Sequence, residues 1–223
     1  MARQLTFDLP SVPALGRDDF FVSPANAAAV AMIERWEDWP TRKLLLIGPE
    51  GAGKTHLAHV WAVLSGAQII QASALADADI ATLARGSVAV ENVPTIAGQP
   101  EAEKALFHLH NLVLAEGPAL LMTGTGEAAH WGLALPDLAS RLQGTPAVAL
   151  QEPDDTLLFA VLMKLFNDRQ LNPKPDVLPY LARNMERSFA AAHALVDALD
   201  KAALAERRDV TRKLASEVLA GLS

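Results

Sequence analysis

The chain has 223 residues, enough for one large domain or a main domain with a small second one, and its 51% hydrophobic content can fill a core. A formal net charge of −7 argues against direct, sequence-specific DNA binding, because nucleic-acid phosphates are normally neutralised by Lys and Arg. The absence of cysteine excludes a disulfide framework and a Cys-based zinc site. No apolar leader follows Met1, and no run approaches the roughly 20 apolar residues of a bilayer span, so a soluble, cytoplasmic protein with no membrane partner is expected.

In chain order, residues 1–19 are polar and proline-bearing and are predicted to be a flexible arm. The arm contains Gln4-Leu5-Thr6-Phe7-Asp8-Leu9. An extended peptide points alternate side chains to one side, so Phe7 and Leu9 can enter an apolar pocket while Gln4 hydrogen-bonds beside it. The plainer reading, a solvated arm, leaves Leu5, Phe7 and Leu9 without a partner.

Short apolar runs then alternate with helical patterns, as in a parallel sheet with crossover helices. Strands are predicted at 43–47, 68–71, 87–91, 119–123 and 147–150. A crossover helix is predicted over 101–116, with Ala105, Leu109, Leu112 and Glu116 at helical spacing, Pro100 before it and Gly117-Pro118 after it. Trp36, Trp39 and Trp61 are expected to be packing residues. His108 and His110 lie two apart on the helix and face different ways, and His56 and His59 belong to another helix, so neither pair predicts a metal site.

Directly after the first strand, Gly48-Pro49-Glu50-Gly51-Ala52-Gly53-Lys54-Thr55 fits the phosphate-loop pattern G-x-x-x-x-G-K-[ST]. Its glycines let backbone N–H groups curl around phosphates, and the helix begun near Lys54 directs its positive end at them. Lys54 is expected to neutralise the β- and γ-phosphates of ATP or ADP, and Thr55 to hold Mg²⁺. The third strand ends Val90-Glu91-Asn92. Glu91 can orient Mg²⁺, although it is longer than Asp, and Asn92 cannot take up a proton as a general base. Nucleotide binding with weak self-hydrolysis is therefore expected.

After Glu152-Pro153 the strand signals cease, and helices are predicted over 155–168, 175–184, 188–206 and 211–220, with Thr211 as a cap and Gly221 as the terminator of the last. This shift sets a boundary near Pro153, giving an α/β domain over 20–153 and a helical domain over 154–223. Two arginines stand out by position: Arg141, ahead of the fifth strand, and Arg187, at the opening of a helix. An arginine offered to a neighbouring molecule's γ-phosphate stabilises transition-state charge, whereas either residue taken alone reads as a surface ion-pair former.

Taken together, Gly48 to His59, Leu135 to Leu142 and Met185 to Phe189 resemble the DnaA family of the AAA+ superfamily, from about Phe20 to the C-terminus. The resemblance implies an AAA+ α/β domain with a parallel five-stranded sheet and a small helical lid. It implies that His56 joins the phosphate-loop residues at the nucleotide, that Arg141 is an arginine finger acting in trans, and that Arg187 lies over the nucleotide. Val22 and Asn26, within Phe21-Val22-Ser23-Pro24-Ala25-Asn26, would lie beside the adenine. The family's initiators carry a basic helix-turn-helix segment not seen here, while Gln4 to Leu9 looks like the clamp-binding peptide of their shorter regulatory relatives. The implied partners are DnaA and the DNA polymerase III sliding clamp (β subunit), and the resting form stays open between monomer and homodimer. A helicase-loader-like ATPase hydrolysing its own ATP and a P-loop kinase of a small metabolite are the competing readings.

Overall fold

The computed structural model describes residues 21–206 and 209–222. Five strands, β1 (Lys43–Ile47), β2 (Gln68–Gln71), β3 (Val88–Glu91), β4 (Leu120–Gly124) and β5 (Ala147–Ala149), form a sheet of order β2-β3-β4-β1-β5 in which every pairing is parallel. The central strands read as unbroken apolar runs because both of their faces are covered. Leu45, Val88, Val90, Leu120 and Met122 face one core, with α4 (Pro100–Glu116) and α5 (Pro136–Gln143) packed on it. Leu44, Leu46, Ala89 and Leu121 face the other, beneath α1 (Ala27–Glu34) and α2 (Lys54–Ser65). A short helix, α3 (Ile80–Leu83), lies between β2 and β3.

The tryptophans pack as expected. Trp61 stacks on Trp39 with ring centroids 5.2 Å apart and meets Trp36 edge-on at 6.4 Å. Such pairs add about 0.5–1.5 kcal/mol each beyond the area they bury.

After β5 come α6 (Asp155–Asp168), α7 (Val177–Asn184), α8 (Phe189–Glu206) and α9 (Arg212–Leu222), which share a core including Leu158, Leu162, Phe166, Leu181, Leu195, Val196 and Leu214. Asp154 caps α6 by accepting from Leu157 N–H at 2.8 Å, and Thr211 caps α9 by accepting from Leu214 N–H at 3.3 Å.

Two expectations, on Gly221 and Arg187, need correction. Gly221 does not end α9 but lies within its last turn, where one glycine costs only about 1 kcal/mol relative to alanine. Helix α4 forms where it was expected, its face to the core centred on Ala102, Leu106, Leu109 and Val113, with Ala105 and Leu112 packed at its margin. Arg187 does not open α8: Ser188 is the cap, its Oγ accepting from Ala191 N–H at 3.0 Å, and the helix begins one residue later.

Candidate functional site

The phosphate loop joins the C-terminal end of β1 to the start of α2. Gly48 N–H donates to Gly124 O at 3.3 Å, which ties the loop to the end of β4. Gly51 and Gly53 have φ of +69° and +92°, values that a side chain disfavours. Both are also packed: a Cβ at Gly51 would collide with the Ser188 side chain, and one at Gly53 would lie 2.8 Å from the Phe189 ring. Phe189 N–H donates to Gly51 O at 3.0 Å. The loop therefore touches both α2 and the start of α8.

Lys54 is buried, and its Nζ donates to two carbonyls of its own loop, Gly48 O at 2.8 Å and Pro49 O at 2.6 Å. Burial lowers its pKa, and nearby Glu50 opposes that shift. Thr55 is exposed and His56 half-buried. An ammonium held at the loop and a helix N-terminus behind it suit a phosphate group.

At the end of β3, Glu91 is buried. Its Oε2 accepts from Gln71 Nε2 at 2.7 Å, while its Oε1 is buried without a hydrogen-bond partner. Such an acceptor fits a metal-bound water. Among the described residues there is no group of three His, Cys, Asp or Glu that could hold a metal, so a magnesium ion here would depend on nucleotide phosphates, with Thr55 and Glu91 as the protein's contribution. Asn92 sits in the left-handed region with φ of +57°. Its backbone N–H donates to Thr123 Oγ1 at 3.1 Å and its Nδ2 to Gln71 Oε1 at 3.0 Å. Gln71 thus clasps both Glu91 and Asn92. Nothing local in the sequence marks this role: Gln71 is a polar residue at the end of β2, and only the strand register brings it beside Glu91.

Val22 is exposed, whereas Asn26 is buried with its amide engaged: Oδ1 accepts from Ser23 N–H at 2.9 Å and Nδ2 donates to Phe21 O at 2.8 Å. Asn26 therefore shapes the segment around it. Arg187 directly precedes the residues that touch the loop. Its own guanidinium pairs with Asp155 at 2.6 Å and donates to Pro153 O at 3.4 Å. Gln4, Leu5, Phe7 and Leu9 lie outside the described residues.

Arg141 is apart from this group. It lies in the last turn of α5, which leads into the start of β5, and its guanidinium sits 5.2 Å above the centre of the Phe107 ring. Because β5 runs parallel to β1, Arg141 belongs to the end of the sheet opposite the phosphate loop. Arg141 is exposed and forms no ion pair among the described residues. Lys43 is buried beside His110, with 2.9 Å between Nζ and Nε2. An ammonium can only donate, so Nε2 accepts and the ring proton is on Nδ1.

No family model matches the chain. Among solved structures, domain III of the replication initiation protein DnaA from Thermotoga maritima superposes with a TM-score of 0.79 at 18% identity, over 94% of this chain and 97% of that one. The replication initiator DnaA bound to AMPPCP and single-stranded DNA gives 0.70 at 18% identity, over 87% and 68%. The FIGL-1 AAA domain gives 0.70 at 15% identity, over 93% and 83%. No helix among the described residues is long and apolar enough to cross a membrane. At these identities the likeness is one of fold, and the sheet with its helices is an AAA+ α/β architecture of the DnaA domain III kind.

Proposed function

We propose that the chain is a nucleotide-occupied AAA+ regulator of replication initiation of the kind Hda represents. Tethered to the sliding clamp through Gln4, Leu5, Phe7 and Leu9, it offers Arg141 to ATP held by DnaA and so promotes hydrolysis there. The initiator is left in its ADP form, and re-initiation is repressed. The observation that carries this reading is the position of Arg141: exposed, without an ion-pair partner among the described residues, and at the end of the sheet remote from its own phosphate loop. An arginine so placed serves a neighbour's phosphates better than its own.

ADP or ATP with Mg²⁺ is the expected occupant of residues 48–56, and two of the similar structures hold the ATP analogue AMPPCP. Contact of the loop with Ser188 and Phe189 supports a latch role, in which nucleotide sets the helical lid, residues 154–223, against the α/β domain of residues 20–153. The test is turnover of DnaA-bound ATP on clamp-loaded DNA. Arg141→Ala abolishes the stimulation, and an unchanged rate sinks the role. A clamp pull-down retains the intact chain and loses one lacking its first ten residues.

A second reading, a helicase-loader-like ATPase that hydrolyses its own ATP, draws on the partnerless Oε1 of Glu91. Substantial magnesium-dependent ATPase in the purified protein, lost in Lys54→Ala, would favour it.

A further inference from the structure

The helix α4 touches α5 at both of its ends. Glu103, Phe107 and His110 are spaced i, i+4 and i+7, which puts them on one face of α4. Glu103 is 1% exposed, yet its carboxylate has no cationic partner among the described residues. Instead it accepts three backbone N–H groups: Gly98 at 2.8 Å and Ala134 at 3.0 Å on Oε1, and Leu135 at 2.6 Å on Oε2. Burial pushes its pKa up, but the bonds from Ala134, Leu135 and Gly98 outweigh that and hold the carboxyl below its usual range. Leu135 is the cap residue just before α5, so a full negative charge sits at the positive end of that helix.

At the other end of α5, the Phe107 ring lies under the guanidinium of Arg141. Leu106 and Leu109 of α4 and Leu138 and Leu142 of α5 are buried in one shared core. Burial first, and then the like charge of Arg141, lower the pKa of Lys43.

We propose that α4 aims Arg141, with Glu103 and Phe107 as positioning residues: Glu103 anchors the start of α5, and Phe107 holds the guanidinium over its ring, available to a partner's phosphate. This inference rests on the trans role of Arg141 proposed above. A planar cation on an aromatic face keeps its donors directed outward at little cost in side-chain entropy when it binds.

The test measures turnover of DnaA-bound ATP on clamp-loaded DNA against the concentration of this chain, so that the maximal rate separates from half-saturation. Phe107→Leu keeps an apolar side chain but removes the π face; the maximal rate falls about two- to fivefold at unchanged half-saturation. Phe107→Tyr keeps the ring and restores the rate, while thermal unfolding of the Leu and Tyr variants stays alike. Glu103→Gln puts an amide NH₂ against backbone donors, so amide exchange quickens at Ala134 and Leu135 and the maximal rate falls further. A full maximal rate in Phe107→Leu, or a loss confined to half-saturation, overturns the positioning role while Arg141→Ala remains inactive. If Arg141→Ala is itself as active as the parent, the trans reading fails and this inference falls with it. Should Glu103→Gln not fold, the Phe107 pair decides alone.

Discussion

Phe189 donates its backbone N–H to Gly51 O at 3.0 Å, so the first residue of α8 is hydrogen-bonded to the middle of the phosphate loop. Its ring also closes over Gly53, which has a φ of +92°. The loop and the helical segment therefore report on each other through two contacts only a few residues apart.

Gly53→Ala tests that coupling. The added Cβ meets the ring at 2.8 Å in a backbone conformation that alanine resists. A loss of about 1–3 kcal/mol is expected from such strain. Urea unfolding followed by circular dichroism measures it, and ADP affinity should fall in parallel. An unchanged midpoint would show that Phe189 does not sit on the loop in solution.

Lys54→Ala should weaken ADP binding by about 10- to 100-fold, the equivalent of one charge-assisted hydrogen bond. In the structure the ammonium is already at the loop, bound to Gly48 O and Pro49 O, and a phosphate oxygen needs only to compete for donors already in place. Titration calorimetry with ADP gives the constant. Equal affinity in parent and variant would remove the nucleotide from this loop.

Much of the fold could be read from local pattern, and the reason is visible in β1. Lys-Leu-Leu-Leu-Ile followed by a glycine loop is a strand buried on both faces, whatever lies far away in the sequence. The phosphate loop carries its own signal in the same way. Glu103, Phe107 and Gln71 do not, because their partners are remote: Glu103 meets Ala134 and Leu135 at separations of 31 and 32 residues, and Gln71 meets Glu91 at 20. A carboxylate satisfied by backbone N–H groups looks in sequence like any helix-surface glutamate.

Asn92→Asp should raise intrinsic magnesium-dependent ATP hydrolysis about tenfold. A well-aligned general base contributes about 10²–10⁴, and this one would be imperfectly set because Asp cannot repeat the donation from Nδ2 to Gln71 Oε1. The left-handed backbone at this position tolerates Asp as it does Asn. Phosphate release in a coupled assay is the measurement. A flat rate would mean that residue 92 does not face the attacking water, and the weakness of self-hydrolysis would need another cause.

The buried pair of Lys43 and His110 makes stability depend on pH. Burial first, then the charges of Lys43 and Arg141, lower the His110 pKa from 6.5 to about 4. The unfolded chain therefore takes up this proton at higher pH than the folded one, and the stability tied to neutral His110 is fully present above about pH 6.5 and lost as pH falls towards 4. His193 is shifted the same way, chiefly by burial, so the parent's slope contains more than one histidine. Comparison with His110→Gln isolates the part of interest, since Gln keeps an oxygen acceptor for the Lys43 ammonium but does not titrate. Urea midpoints from pH 7 to pH 5 should fall less steeply in the variant than in the parent. Equal slopes would mean that His110 takes up its proton as readily in the folded chain as in the unfolded one, which a ring sealed between α4 and β1 beside an ammonium cannot do.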